Sequence, residues 1–193
     1  MQNVHEHSLP IVHGFAQPRQ NIAALHISGG MRVADFGAGS GAYTLAIAER
    51  LEGSGKVYAI DVQRDLLRRI SNEAARRGLS NVEVIWTDLE MPRASKLANE
   101  SIDLVLVSNV LFQVPDKLQV LKEARRIVKG AGNVAVIDWS GSFGGMGPVK
   151  EDVVKKDQAV LLAKKAGLEL DREFTAGTHH YGLILRPVPL TDV

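Results

Sequence analysis

The sequence predicts an α/β fold built on a parallel sheet, and three observations carry that prediction. Short apolar runs alternate with segments of helical periodicity from Arg32 to Ala166, and such alternation demands parallel strands joined by right-handed crossovers. The stretch Arg32-Val-Ala-Asp-Phe-Gly-Ala-Gly-Ser-Gly-Ala-Tyr-Thr44 sets glycines at 37, 39 and 41 between a strand and a helix. Three strands each carry an acid at or near their ends: Asp35, Asp61 and Asp88. A chain of 193 residues has room for one domain but not comfortably for two.

Residues 1–19 are polar and broken by Pro10, Gly14 and Pro18. They read as an N-terminal arm with a short ordered stretch at 9–15. Residues 21–27 read as a short helix ended by Ser28-Gly-Gly30. Val33, Ala34 and Phe36 give a short buried strand. Residues 43–51 form a helix with Thr44, Ile47, Ala48 and Leu51 on one stripe. After the turn Glu52-Gly-Ser-Gly55, residues 56–60 make the second strand. Residues 63–77 make a helix with Leu66, Leu67, Ile70 and Ala74 inward and Gly78 as its stop. Its outer face carries Arg68, Arg69, Arg76 and Arg77, read as a solvated face.

The third strand is Val82–Trp86, and Pro92–Leu97 is a short helix or turn. Ile102–Val107 is apolar throughout after Asp103, which fits a strand buried on both faces. Pro115-Asp116 opens a helix to Lys129 with Leu118, Leu121, Ala124 and Val128 inward. The fifth strand, 134–137, ends at Asp138-Trp139. Ser140–Val149 is glycine-rich and irregular, a candidate mobile loop. A helix over 151–166 stops at Gly167. Residues 168–174 and 179–185 close the core as a hairpin around Ala176-Gly177, and 188–193 are a tail.

The glycine loop has a definite chemistry. Glycine lets a ligand approach the backbone, and the following helix offers free N–H groups and a positive dipole end. Such a loop binds the negative part of a nucleotide-like ligand, phosphate or carboxylate. Asp61 lies about twenty residues further on, where a βαβ unit sets a carboxylate on ribose hydroxyls. The rival reading of Asp61 is an N-cap for the helix after Val62.

Together these segments resemble the class I S-adenosylmethionine (SAM)-dependent methyltransferases. The likeness rests on Asp35-Phe-Gly-Ala-Gly-Ser-Gly41, Ala59-Ile-Asp61, Trp86-Thr-Asp-Leu89 and the strand Ile102–Val107. It continues in Arg125-Arg-Ile-Val-Lys-Gly-Ala-Gly132 leading into Asn133-Val-Ala-Val-Ile-Asp138. The family more often has Lys-Pro-Gly-Gly where this chain has Lys129-Gly-Ala-Gly132. Met146-Gly-Pro148 and His179-His-Tyr-Gly182 are similar to the small UbiE-like members. The resemblance spans residues 20–187. It implies a Rossmann-like seven-stranded sheet in the order 3-2-1-4-5-7-6, with only the last strand antiparallel and helices on both faces. It also implies SAM as cofactor, bound beyond the strand ends between strands one and four, with the N-terminal arm as a cover.

The cofactor-binding set that follows is Asp35, Gly37, Ala38, Gly39, Gly41, Asp61, Val62, Asp88, Leu89 and Ser108. The resemblance places Asp88 on the adenine amino group with Leu89 beside the ring. It places Asp35 near the amino group of the methionine moiety; a purely structural Asp35, bonded to loop N–H groups, is the rival reading. No catalytic residue is assigned. Ser108, Asn109, Asp138, His13, His179, His180 and Tyr181 are acceptor-side candidates, and each could instead be structural. Methyl transfer needs a general base only where the acceptor must lose a proton. Ser108-Asn-Val-Leu111 stands where nucleobase- and glutamine-directed relatives carry Asn-Pro-Pro-Tyr.

Composition narrows the functional classes. A net charge of +1 gives no field that selects nucleic acid or an anionic membrane, so a small-molecule acceptor is expected over RNA or protein. The absence of cysteine removes disulfides, thiolate metal sites and the arsenic-binding members of the family. His5, His7 and His13 lack a carboxylate or cysteine at metal-ligand spacing, so no metal site is expected. No apolar run approaches a membrane span and no signal peptide is read, which makes the cytoplasm the expected location. Gly37-x-Gly39-x-x-Ala42 also fits the dinucleotide fingerprint, but a Tyr-x-x-x-Lys pair is missing. A NAD-dependent oxidoreductase and a non-catalytic SAM-binding protein are therefore the competing classes. The sequence does not fix the oligomeric state.

Overall fold

A computed structural model describes residues 18–189. The strands are β1 (Arg32–Phe36), β2 (Lys56–Asp61), β3 (Val82–Trp86), β4 (Ile102–Ser108), β5 (Val128–Trp139), β6 (Leu168–Thr175) and β7 (His180–Pro187). They form one sheet in the order β3-β2-β1-β4-β5-β7-β6. The pairs among β1 to β5 are parallel. β7 runs antiparallel to both its neighbours. The helices are α1 (Pro18–Ala24), α2 (Ala42–Arg50), α3 (Arg64–Arg76), α4 (Lys117–Ile127) and α5 (Lys156–Lys165).

The strand pleat divides the core in two. Leu104 and Leu106 of β4 point to one face, with Val33, Val57 and Ile137, and there they meet Ile22 of α1 and Ile47 and Leu51 of α2. Val105 and Val107 point to the other face and meet Val120, Leu121 and Ala124 of α4 and Ala159 and Ala163 of α5. A strand covered on both faces needs apolar side chains at successive positions, which is why β4 reads as an unbroken apolar run. Each such side chain contributes about 1.5–3 kcal/mol by leaving water. β3 and β6 are the two edges, and β3 is largely exposed. Its Trp86 is 48 % exposed, lies under the Arg64 guanidinium at 3.6 Å and donates its indole N–H to the Val62 carbonyl.

Several element boundaries differ from the sequence reading. α1 begins at Pro18, a residue suited to a first helical turn, and is over by His26, whose φ is +50°. α4 stops at Ile127 because Val128 is already extended and opens β5. The Lys129-Gly-Ala-Gly132 segment therefore lies inside a strand, at a register shift against β4. The inner stripe of α4 is Val120, Leu121, Ala124 and Ile127; Leu118 is only half-buried. α5 begins at Lys156, not at 151, since Lys155 is extended and the Asp152 N–H closes a turn onto the Val149 carbonyl. Residues 92–95 form a turn, and no helix forms over 92–97. Arg68, Arg69, Arg76 and Arg77 are exposed, and Arg68, Arg76 and Arg77 pair with Asp65, Glu73 and Glu49.

The turn before β4 is held by a buried ion that the sequence reading missed. Glu123 sits on the inner stripe of α4 with 1 % exposure. It accepts from the Ser95 N–H and hydroxyl and pairs with Arg126 at 2.6 Å. Arg126 in turn donates to the Leu97 carbonyl and the Asn99 side chain. Burial works against the Glu123 charge, but these partners outweigh it and hold its carboxyl below the usual range.

Candidate functional site

The carboxyl ends of β1, β2, β4 and β5 converge where the chain order switches, the usual ligand crevice of an open α/β sheet. Two cavities adjoin there and share Gly37, Gly39 and Gln113. One, of about 310 Å³, lies beyond β2 and β3 and is lined by Asp61, Val62, Gln63, Thr87, Asp88 and Leu89. The other, of about 260 Å³, lies beyond β1, β4 and β5 and is lined by Asp35, Tyr43, Ser108, Asn109, Trp139 and His180, among others. A larger cavity of about 660 Å³ around Lys122, Arg125 and Arg126 opens at the opposite end of the strands, away from the glycine loop.

The loop is tied to β2 before any ligand arrives. The N–H groups of Gly37 and Ala38 donate to the Ile60 carbonyl. Asp61 Oδ2 accepts from the Gly39 N–H at 2.9 Å, and Oδ1 accepts from the Gln63 N–H at 2.8 Å. A carboxylate has about four acceptor positions, so Asp61 orders the loop, closes a turn onto Gln63 and retains acceptor capacity toward the 310 Å³ cavity. It is not the helix cap: Gln63 is the N-cap residue of α3, and no side chain bonds the first turn there. Gly39 has φ +53°, and a Cβ there would meet only the Gly37 carbonyl at 3.7 Å; the backbone is open to a close ligand. Gly41 lines neither cavity. It has φ +81°, and a Cβ would strike Ile70 at 2.6 Å, so its glycine serves the junction of α2 with α3.

Asp35 is 2 % exposed and accepts from the Thr44 hydroxyl at 2.6 Å in the first turn of α2. Burial pushes its carboxyl up to about 7, the bonds from Thr44 oppose this, and nearby Asp61 adds to it. An ammonium group placed beside it would restore its charge. Asp88 is exposed and accepts from the Glu90 N–H, while Leu89 beside it is buried. Val62 is 59 % exposed at the cavity rim. Ser108, expected on the cofactor side, lies in the 260 Å³ cavity with its hydroxyl beside Tyr43.

The acceptor-side candidates separate. Asn109, at φ +56°, and His180 line the 260 Å³ cavity. Asp138 does not; it is fully buried and accepts from the N–H groups of Leu111 and Trp139. Burial pushes its carboxyl up to about 6, and the bonds oppose this. It pins the loop after β4. His179 stacks on Phe143 at 4.2 Å, and Tyr181 donates to the Val154 carbonyl. Tyr181 is thereby accounted for structurally, and His179, whose Nδ1 is buried without a partner among the described residues, does not line the cavity. Tyr43, Gln63, Gln113 and Trp139 were not identified from sequence as site residues. For Trp139 the signal was its place directly after the β5 run. Tyr43 was concealed among the apolar residues opening α2; it accepts from Asn21 at 2.7 Å. His5, His7, His13 and the expected covering arm fall outside the described residues, as does most of the tail. Among the described residues no helix is long and apolar enough to cross a membrane, and no three His, Asp or Glu side chains cluster as a metal site.

This geometry fits the requirements of SAM. A carboxylate with spare acceptor capacity stands beside one cavity, an open glycine backbone joins the two, and a buried acid marks the second. Comparison with known proteins agrees. A family model described as "Methyltransferase domain" matches residues 27–177. A demethylmenaquinone methyltransferase of Bacillus velezensis is 31 % identical over 117 residues, 60 % of this chain and 48 % of that protein. The chain thus spans about half the length of the curated relatives it matches. A SAM-dependent methyltransferase from Aquifex aeolicus superposes with a TM-score of 0.79 at 27 % identity, covering 89 % of each chain. The cyclase SpnF shares the fold at a TM-score of 0.74 and 17 % identity, covering 89 % of this chain and 81 % of that one. The strand order, the glycine loop with its three acids, and the extent of the family match lead to one assignment: the chain belongs to the class I SAM-dependent methyltransferases.

Proposed function

We propose that this protein transfers the methyl group of SAM to an uncharged small molecule. The observation that carries the reading is the pair of adjoining cavities divided by Gly37 and Gly39. Asp61 accepts the ribose hydroxyls in the first, with Asp88 and Leu89 at the adenine. The loop backbone and the start of α2 face the methionine carboxylate, and Asp35 takes its amino group. When bound, SAM supplies an electrophilic methyl group on sulfur. The chain's own part is to hold donor and acceptor in line and to exclude water. Ser108, Asn109, Trp139 and His180 form the acceptor end. The relatives' name, demethylmenaquinone methyltransferase, supports a quinone-type ring as the acceptor class.

A thermal-shift panel tests the reading. SAM and S-adenosylhomocysteine should each raise the melting temperature, and NAD or NADH should not. Stabilisation by NADH with no response to either SAM ligand would refute it. Turnover is then sought with labelled SAM across acceptor classes; tight, salt-sensitive binding of tRNA or rRNA would contradict the small-molecule assignment.

A further inference from the structure

Two weak sequence motifs meet at one side chain. Gly147 of Met146-Gly-Pro148 packs on the Trp139 ring so closely that a Cβ there would approach to 2.6 Å. His180 of His179-His-Tyr-Gly182 pairs with Trp139 across β5 and β7, and the two rings lie 4.3 Å apart. Both Trp139 and His180 line the 260 Å³ cavity.

Polar groups at this end lack partners. His180 is 6 % exposed, and among the described residues neither ring nitrogen has a hydrogen-bond partner. Ser108 is 8 % exposed with its hydroxyl beside Tyr43, and among the described residues Asn109 Oδ1 has no hydrogen-bond partner. Buried polar atoms left unmatched are uncommon and call for a partner. Asn109 Oδ1 can only accept, so part of that partner must be a donor. Among the described lining residues there is no Lys or Arg; the loop N–H groups and the start of α2 are taken by the methionine carboxylate, which leaves no second group to attract an anion. Burial, with His179 adjacent, holds the His180 imidazole down to about 4, so at neutral pH it is an uncharged ring with one bare nitrogen.

We propose that His180 is an acceptor-binding residue: its bare ring nitrogen takes the hydrogen bond of a hydroxyl on a flat, uncharged ring that lies along Trp139. This deepens the methyltransferase reading and rests on it. It selects phenol-like or hydroquinone-like acceptors over carboxylates and over ethers of the same shape.

The test uses the full chain saturated with S-adenosylhomocysteine. Phenol, anisole and benzoate are titrated separately while the Trp139 indole signal is followed by NMR. Trp86, the other tryptophan, sits at the far edge strand and serves as the reference. Phenol should bind the wild type about fivefold more tightly than anisole, the effect of one net hydrogen bond. His180→Phe keeps a ring against Trp139 and should bring phenol down to the level of anisole. His180→Gln, which restores an acceptor, should recover part of the difference. Equal losses for phenol and anisole would make His180 a packing residue and overturn the proposal. So would tighter binding of benzoate, or no phenol-dependent shift at Trp139. Binding of S-adenosylhomocysteine should be the same in all three proteins. Its failure in the wild type would strike the methyltransferase reading itself, a different outcome from any of these.

Discussion

Asp35→Asn should stabilise the ligand-free protein while weakening its hold on SAM. Burial lifts the Asp35 carboxyl from 3.8 to about 7. Roughly three units at 1.36 kcal/mol each make the charged form cost about 4 kcal/mol at most. The sign follows from the direction of the shift. Below about pH 4 the acid is protonated folded and unfolded, and it costs nothing. The cost grows between pH 4 and 7 as the unfolded chain ionises, and it is complete above 7. Asparagine keeps an oxygen for the Thr44 hydroxyl and has no charge to bury. The variant should therefore gain about 2–4 kcal/mol over wild type at pH 8, and roughly half of that at pH 5. If Asp35 takes the cofactor's ammonium as proposed, losing its charge should lower affinity about tenfold or more. Urea unfolding of both proteins at pH 5 and pH 8, beside calorimetric titration of S-adenosylhomocysteine, measures both effects. A variant less stable than wild type at pH 8, or a difference that does not change with pH, would refute the burial account of Asp35.

Two further changes probe the machinery around it. Asp61→Ala should weaken S-adenosylhomocysteine by about 2 kcal/mol, on the order of thirtyfold in Kd. It should also cost about 1 kcal/mol of stability, because the carboxylate bonds the Gly39 and Gln63 N–H groups; Asp61→Asn should lose less of each. Calorimetry run beside a thermal melt reads the two, and unchanged affinity removes the strongest single support for the cofactor site. Glu123→Gln should lower stability by about 3 kcal/mol, since it leaves Arg126 without its buried partner. An unfolding free energy, from urea midpoint and slope, that falls by less than a third of that amount would show that the clamp before β4 is dispensable.

The sequence by itself determined the fold and half of the site. Period-2 and period-3.6 patterning is local, so the strands at 33–36, 56–61 and 102–107 and the helices between them are legible from side chains a few residues apart. The glycine loop and Asp61 are legible for the same reason: the loop, α2 and β2 are consecutive, and their spacing fixes the carboxylate beside the loop. Boundaries were less legible where two signals overlapped. At Val128 the helical stripe of α4 runs directly into the strand, and the extended backbone there ends the helix early. The other half of the site was decided by the tertiary structure alone. Ser108, Trp139 and His180 come from three strands, joined by the pairings of Ser108 with Ile137 and of Trp139 with His180. Three adjacent residues, His179, His180 and Tyr181, are alike in sequence as polar candidates. Only the pleat of β7 and its neighbours sends His180 into the cavity, sets His179 against Phe143 and ties Tyr181 to Val154. Long-range packing settles such choices because whether a buried polar group finds a partner depends on residues distant in the chain, which no local pattern specifies.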